Sequence, residues 1–339
     1  MLVTQEKAQA LAARAFLRCG VRDGMAADAA RMMTMAEMMG ITTHGLARVS
    51  NYVDRLQAGG MDPRTEPVIT APAPALLQVD GRNGLGPAVA LRATRAAMNA
   101  ARATGIAAAF CRHSTHLGAL APLLWIAAQD GFAAIITTNT APMIAPAGGR
   151  RALLGNAPVR LAIPDEDGMP VLLDMALSVA ARSKVRAAAS AGASIPETWA
   201  TDAQGRPTTD AAAAMDGLMQ AIGGAKGAHL ALCLDLFAGG LSGAAMMGEI
   251  PNANTTPDVP PDLGHMIVII DAARLMPPDR LSARLADARN MVETTPRVDP
   301  AQAIRLPGER AVAALKTARA QGFTLAPDLF DTLSRLAGD

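Results

Sequence analysis

The stretch from Ile106 to Leu120, IAAAFCRHSTHLGAL, is an apolar run, Ile106–Cys111, followed at once by His113-Ser114-Thr115-His116-Leu117-Gly118-Ala119-Leu120. A short apolar run with polar and glycine punctuation reads as a buried strand. The carboxyl end of such a strand is where α/β layers commonly meet ligands, which makes the histidines there candidates for chemistry. Comparable runs stand at Ala133–Thr138, Leu161–Pro164, Val171–Asp174 and Gly264–Asp271, with helices or loops between them. Strands interleaved with crossovers predict an α/β, or mixed α+β, layer.

Upstream, residues 1 to about 60 read as helical. Thr4 is placed to cap a helix running to Gly20, a second helix runs from about Ala26 to Gly40, and a third from Thr43 to Gly59. The second carries Met32, Met33, Met35, Met38 and Met39, a stripe read as core packing. Strand-like Val68–Thr70 and Leu76–Val79 lead through Gly81–Gly86 to an Ala-rich helix, Pro87–Thr104. Downstream, Ala189–Asp210 reads as loop, Thr209–Ile222 and Ala228–Phe237 as helix, and the chain from Pro307 on as helix.

The 339 residues exceed the usual single-domain size, so two domains, or one domain with a large insertion, are expected. Half the residues are hydrophobic but only 3% aromatic, so Ala, Leu, Val, Ile and 19 Met must fill the interior. Lys and Arg number 31 against 30 Asp and Glu, without runs of like charge, which excludes the electrostatic footprint of a nucleic-acid binder. Cys19, Cys111 and Cys233 have no CxxC spacing, which argues against disulfides and thiolate metal sites and for a reducing, cytoplasmic setting. The N-terminus lacks an apolar leader run, and the most apolar stretch, His229–Ile250, holds Asp235 and three glycines; it reads as a buried helix rather than a membrane span.

Two clusters carry chemistry. In Thr43-His44-Gly45-Leu46-Ala47-Arg48, a helix starting at Thr43 would put His44 and Arg48 on one face, with Tyr52 one turn on. A guanidinium can hold a carboxylate while an imidazole exchanges a proton, a rational pair for a small acid. In the second cluster, His113 and His116 come without an HExxH or carboxylate-bearing spacing, so acid–base work is favoured over zinc, and no metal is expected. Neither GxGxxG nor GxxxxGK[ST] occurs, which removes a Rossmann turn and a P-loop. Gly-rich Pro146–Gly149, Gly223–Gly227 around Lys226, and Pro307–Glu309 remain as backbone able to approach a phosphate or simply to turn.

Taken in order, these pieces resemble the malate/L-lactate/L-sulfolactate dehydrogenase-like family, which includes ureidoglycolate dehydrogenase, diketogulonate reductase and the piperideine- and pyrroline-2-carboxylate reductases. The resemblance runs over nearly the whole chain: the Thr-His-Gly…Arg start, Val79-Asp80-Gly81, Gly84-Leu85-Gly86, His116–Ala119, Gly155-Asn156-Ala157-Pro158, Leu173–Ala176, Gly223–Gly227, Leu241-Ser242-Gly243 and Leu306–Glu309.

The resemblance implies a non-Rossmann fold for NAD or NADP: a helical domain built from both chain ends (residues 1–70 and 271–339), a cofactor-binding α/β domain (residues 71–270), and a homodimer acting on a small carboxylic acid, with neither nucleic acid nor membrane as partner. Carried over by position, His44 and His116 are the proton-transfer candidates, with Thr43 beside them and Arg48 as carboxylate clamp. His116, Leu117, Gly118, Ala119, Leu120, Thr140, Asp174, Met175, Ala176, Lys226, Arg305, Leu306, Pro307, Gly308 and Glu309 are the implied cofactor contacts, and Arg48, Asn156 and Lys184 the implied substrate contacts. Thr43 stands where the family usually has Ser. The imine reductases resemble one another in an Asp where this chain has Lys184 and a Thr where it has Asn156, which tilts the expectation toward interconversion of a 2-hydroxy and a 2-oxo acid. Cyclic-imine reduction is the alternative, and a non-catalytic binding protein of the same descent the third possibility; Arg182 and Arg186 are candidates to meet a ribose 2′-phosphate.

Overall fold

Thr4 separates the first strand from the first helix because its side-chain oxygen accepts the Lys7 N–H, satisfying a donor that the first helical turn leaves open. The computed structural model describes residues 1–339 except Asn254. Its strands are β1 (Leu2–Val3), β2 (Val68–Ala73), β3 (Leu76–Asp80), β4 (Ile106–Ser114), β5 (Phe132–Thr138), β6 (Val159–Ile163), β7 (Val171–Met175), β8 (Leu263–Asp271) and β9 (Phe323–Thr324). The helices are α1 (Gln5–Arg18), α2 (Asp23–Met38), α3 (Val49–Ala58), α4 (Gly86–Thr104), α5 (Ala121–Gln129), α6 (Arg182–Ser190), α7 (Ala211–Met215), α8 (Ala225–Asp235), α9 (Pro278–Glu293), α10 (Glu309–Gln321) and α11 (Pro327–Ala337).

Seven strands form one sheet in the order β2-β3-β4-β8-β5-β6-β7; β3 and β4 run parallel and every other neighbouring pair antiparallel. The fold is therefore mixed α/β, as expected. Helices α4 and α5 cover one face, where Ala107, Ala109, Cys111, Ala134, Ile136, Ile267 and Ile269 are buried. The Met stripe of α2 is buried in the same core. The chain ends meet: β1 pairs with β9 through Leu2↔Thr324 and Val3↔Phe323, and α1 packs on α11. A second, smaller core gathers Ile144, Leu154, Leu177, Val185, Ile195, Met219 and Ala231.

Four readings change. The helix expected over Thr43–Gly59 begins only at Val49, because Thr42–His44 and Leu46–Arg48 form separate 3-10 turns on either side of Gly45. Gly45 is required there: a Cβ would stand 2.3 Å from Glu37 Oε2, the oxygen that accepts the Leu46 N–H. His44 and Arg48 therefore do not share a helical face. The helix expected over Thr209–Ile222 shrinks to α7, and the one over Ala228–Phe237 starts earlier, at Ala225, and ends in a π turn over Leu236–Gly240. Helix α9 went unread, since it buries little beyond Ser282 and Leu285 and leaves a weak apolar period.

Candidate functional site

The loop after strand β4 delivers His116, and the 3-10 turn before Gly45 delivers His44; the two imidazoles stack with centroids 5.6 Å apart and planes 26° from parallel. Thr43 Oγ1 lies 3.0 Å from His44 Nδ1. On α3, Tyr52 donates its hydroxyl proton to the His116 carbonyl oxygen at 2.7 Å, and its oxygen lies 2.8 Å from His116 Nδ1. Gly118 N–H also reaches that nitrogen, at 3.2 Å. With its single proton on the carbonyl, Tyr52 can only accept from Nδ1–H, whereas Gly118 can only donate to a bare Nδ1. Both neutral tautomers of His116 thus have a partner ready, one leaving Nε2 a base and the other leaving it a donor. Burial, reinforced by His44, Arg48 and Arg55, pushes the His116 imidazole down to about 3, and burial followed by Arg48 lowers His44 to about 4, so both are neutral near pH 7.

Arg48 sits across from this pair. Its Nε donates to Thr43 O and its Nη1 to Asn51 Oδ1, both at 2.9 Å, which spends two of a guanidinium's five N–H bonds and leaves three for a ligand. Opposite, Thr140 Oγ1 donates to Asn156 Oδ1 and accepts the Asn156 N–H, both at 3.1 Å, fixing that amide in the wall. His44, Arg48, His116, Leu117, Gly118, Leu120, Thr140 and Asn156 line one cavity of about 290 Å³. A cleft of about 1320 Å³ adjoins it, lined by His44, Gly118, Ala119, Asp174, Ala176 and the Arg305–Glu309 loop. The two spaces share His44, Gly118 and Arg160 as wall.

Four of the expected positions, Thr43, Met175, Lys184 and Lys226, line neither space. Met175 is on β7 at the sheet margin, Lys226 is in the first turn of α8, and Lys184 on α6 lies over the Trp199 ring at 5.9 Å. Thr43 acts from behind, through His44 and Arg48. Arg182 donates to Met215 O and is likewise outside the cleft. Sequence reading missed Arg55 and Arg160 in the cavity wall. Arg160 pairs with Asp174 at 2.7 Å, and its Nε and Nη1 are buried without a partner among the described residues. That pair was legible only from the β6–β7 register, which sets Arg160 opposite Asp174. Among the described residues no group of three or more His, Cys, Asp or Glu could hold a metal ion, and no helix is long and apolar enough to cross a membrane.

A fold that backs a stacked histidine pair with an arginine and opens it onto a long cleft belongs with the dehydrogenases, and comparison with known proteins gives the same class. The malate/L-lactate dehydrogenase family model matches residues 3–334, and the chain belongs to that family. It is 33% identical to the (2R)-3-sulfolactate dehydrogenase (NADP(+)) of Chromohalobacter salexigens, over 99% of this chain and 98% of that one. It is 33% identical to the Δ(1)-pyrroline-2-carboxylate reductase of Ancylobacter novellus, over 94% and 92%. The sulfolactate dehydrogenase of Methanocaldococcus jannaschii superimposes with a TM-score of 0.90 at 26% identity, covering 100% of this chain and 97% of that one. The chain is an oxidoreductase.

Proposed function

We propose that this protein interconverts a small 2-hydroxy acid and its 2-oxo acid, with NAD or NADP in the large cleft and the acid in the smaller cavity. The observation that carries the reading is the convergence of Arg48, His44 and His116 on one cavity whose wall is shared with a cleft large enough for a dinucleotide. The cleft's chemistry fits such a cofactor: Arg305 and Arg310 line it, and the N-terminal N–H groups of α10 open into it from Gly308. Asp174, Ala176 and Arg305–Glu309 would hold the cofactor there. When bound, the nicotinamide supplies or accepts the hydride at the acid's C2.

The chain's own residues do the rest. Arg48 holds the carboxylate with its free N–H bonds, fixing C2 relative to the shared wall. His116 Nε2 takes the hydroxyl proton in oxidation and returns it in reduction, while Tyr52 holds Nδ1–H as positive charge develops on the ring. His44, stacked on His116 and fixed by Thr43, completes the wall and shields the proton path from water.

The runner-up is reduction of a cyclic imino acid. Its reacting nitrogen carries a positive charge when protonated, and the cavity wall holds Arg48, Arg55 and Arg160 but no carboxylate among the described residues, which disfavours an iminium. Following NADPH and NADH consumption with pyruvate, oxaloacetate, sulfopyruvate and piperideine-2-carboxylate separates the readings. Turnover of the oxo acids supports the proposal, and turnover confined to the imine sinks it.

We further propose that residues 1–70 and 271–339 form a helical unit around the α/β unit of residues 71–270, and that the protein works as a cytoplasmic homodimer. The β1–β9 pairing and α1–α11 packing support the first, and three free cysteines the reducing setting. The sheet face away from α4 and α5 supports the dimer. Its register aligns Leu76, Ala108, Val268, Ile135, Leu161 and Leu173 in one apolar row across six strands, with Ile135 and Leu161 each 38% exposed. An apolar row of that length is a surface a second copy can cover.

A further inference from the structure

The wall common to the two spaces is made by His44, Gly118 and Arg160, so among the described residues Arg160 is the one fixed charge that both spaces meet. The sheet sets its place. On β6, Arg160 stands opposite Ile136 of β5 and Asp174 of β7, which turns its side chain to the face that Ile136 buries. There Nη2 holds Asp174 Oδ1 at 2.7 Å, with the Arg160 side chain 11% exposed. Nε and Nη1 are buried and have no partner among the described residues. A single neutral hydrogen bond would tie the two strands as well, and burying the rest of a guanidinium unfilled costs stability. The spare N–H bonds therefore need an acceptor that the bound state supplies.

The direction of the ion pair identifies that acceptor. Asp174 lines the large cleft only, whereas Arg160 reaches the small cavity as well, so the negative end faces the cofactor's space and the positive end the acid's. Reduction of an oxo acid moves charge in the same sense: as the hydride joins C2, the C2=O π pair moves onto the oxygen and positive charge is left on the cleft side. His44 and His116 are neutral near pH 7, mainly through burial, and bring no fixed charge to that oxygen. Arg55 is engaged with Pro257 O and Val259 O, and Arg48 is assigned to the carboxylate. The His44 imidazole also feels the pair: behind burial and Arg48, Arg160 lowers its pKa and Asp174 raises it.

We propose that Arg160 is a further catalytic residue, one of whose free N–H bonds binds the C2 oxygen of the acid and stabilises the negative charge that grows there, while Asp174 anchors the guanidinium from the cleft side. The inference rests on the oxo-acid reading of the site and adds a residue to the reaction. A small turn of the guanidinium about its bond to Asp174 brings Nη1 to the cavity. The hydride ends in the new C2–H bond, and the oxygen takes its proton from His116 Nε2.

The test compares oxamate, which carries a carbonyl oxygen at C2, with propionate, which carries none; the two are close in size and neither is reduced. Each is titrated into the protein saturated with NADPH, with NADPH fluorescence as the readout. The wild type is expected to bind oxamate more tightly. In Arg160→Met that preference should fall by about tenfold to a hundredfold, the value of a hydrogen bond from a charged donor, while propionate affinity holds. On an oxo-acid substrate kcat should fall by a similar factor, and the slowing caused by deuterium at the transferable C4 position of NADPH should grow as the chemical step becomes limiting. If Arg160→Met fails to fold, Arg160→Gln with Asp174→Asn, a neutral pair able to keep one hydrogen bond between β6 and β7, goes through the same titrations, and loss of the oxamate preference is again expected. A wild type without that preference, a preference kept in the variants, or equal weakening of both acids overturns the proposal and leaves Arg160 as a tie between strands. A wild type that reduces piperideine-2-carboxylate and no oxo acid removes the underlying reading instead, and this proposal with it.

Discussion

Replacing Tyr52 by Phe removes one oxygen and tests how the proton path is built. That oxygen is the partner of His116 Nδ1 at 2.8 Å and the donor to the His116 carbonyl at 2.7 Å. In the variant, Gly118 N–H is the remaining partner of Nδ1, which favours the tautomer with Nε2 protonated. The charge that develops on the ring during proton transfer loses a hydrogen bond worth about 1.5–3 kcal/mol, which slows the chemical step by about tenfold to a hundredfold. The overall equilibrium is untouched, so kcat/KM must fall by the same factor in both directions. The carbonyl left without a donor costs about 1–3 kcal/mol of stability, visible as a lower Tm. Steady-state kinetics of oxidation and reduction, with NADPH affinity measured by fluorescence, are the assay. Cofactor affinity should hold while kcat/KM drops. A folded Tyr52→Phe protein with kcat/KM within twofold of wild type between pH 6 and 9 would refute the pairing.

Three further outcomes follow from the same geometry. Gly308 has φ +89, and a Cβ there would stand 2.7 Å from the Leu172 carbonyl oxygen, so Gly308→Ala should displace the Arg305–Glu309 loop and weaken NAD(P)H binding by about tenfold, read by fluorescence titration. His44, His116 and His265 are held neutral with pKa values of about 4, 3 and 3, below the ordinary 6.5 that they regain on unfolding. The unfolded chain therefore binds more protons, and each imidazole removes about 1.4 kcal/mol of stability per pH unit as the pH falls below 6.5. Asp235, raised by burial to about 6, opposes one of the three below that pH, so Tm should fall steadily from pH 6.5 to 4.5, and a flat profile would contradict the burial of these rings. Ile135→Glu on the open sheet face should convert the proposed dimer to monomer in sedimentation velocity.

The strand-and-loop part of the site was legible because its signal is local. Ile106–Cys111 reads as strand from composition alone, and His116 follows it by necessity of chain order. The His44–Arg48 pair was found for a partly wrong reason: the two meet at the cavity through paired 3-10 turns, not through one helical face, because the Glu37 carboxylate engages Leu46 N–H against Gly45. Tyr52 was visible as the residue one turn past Arg48, but its hold on His116 depends on α3 packing against the loop after β4, which no spacing encodes. Arg160 and Asp174 are 14 positions apart and meet only because β6 and β7 pair in one register. Arg55 reads as a surface arginine until the loop at 257–259 is seen to cover it.

In the proposed reaction a hydride crosses the wall shared by the two spaces, between a nicotinamide and C2 of an acid held by Arg48. Reduction of oxaloacetate with NADPH deuterated at the transferable C4 position, followed by mass spectrometry of the product, measures that step. One deuterium at C2 of the hydroxy acid, with at least a hundredfold slower incorporation in Arg48→Leu, is the predicted result. Cofactor consumption without deuterium at C2, or the same rate of incorporation in Arg48→Leu, would contradict it.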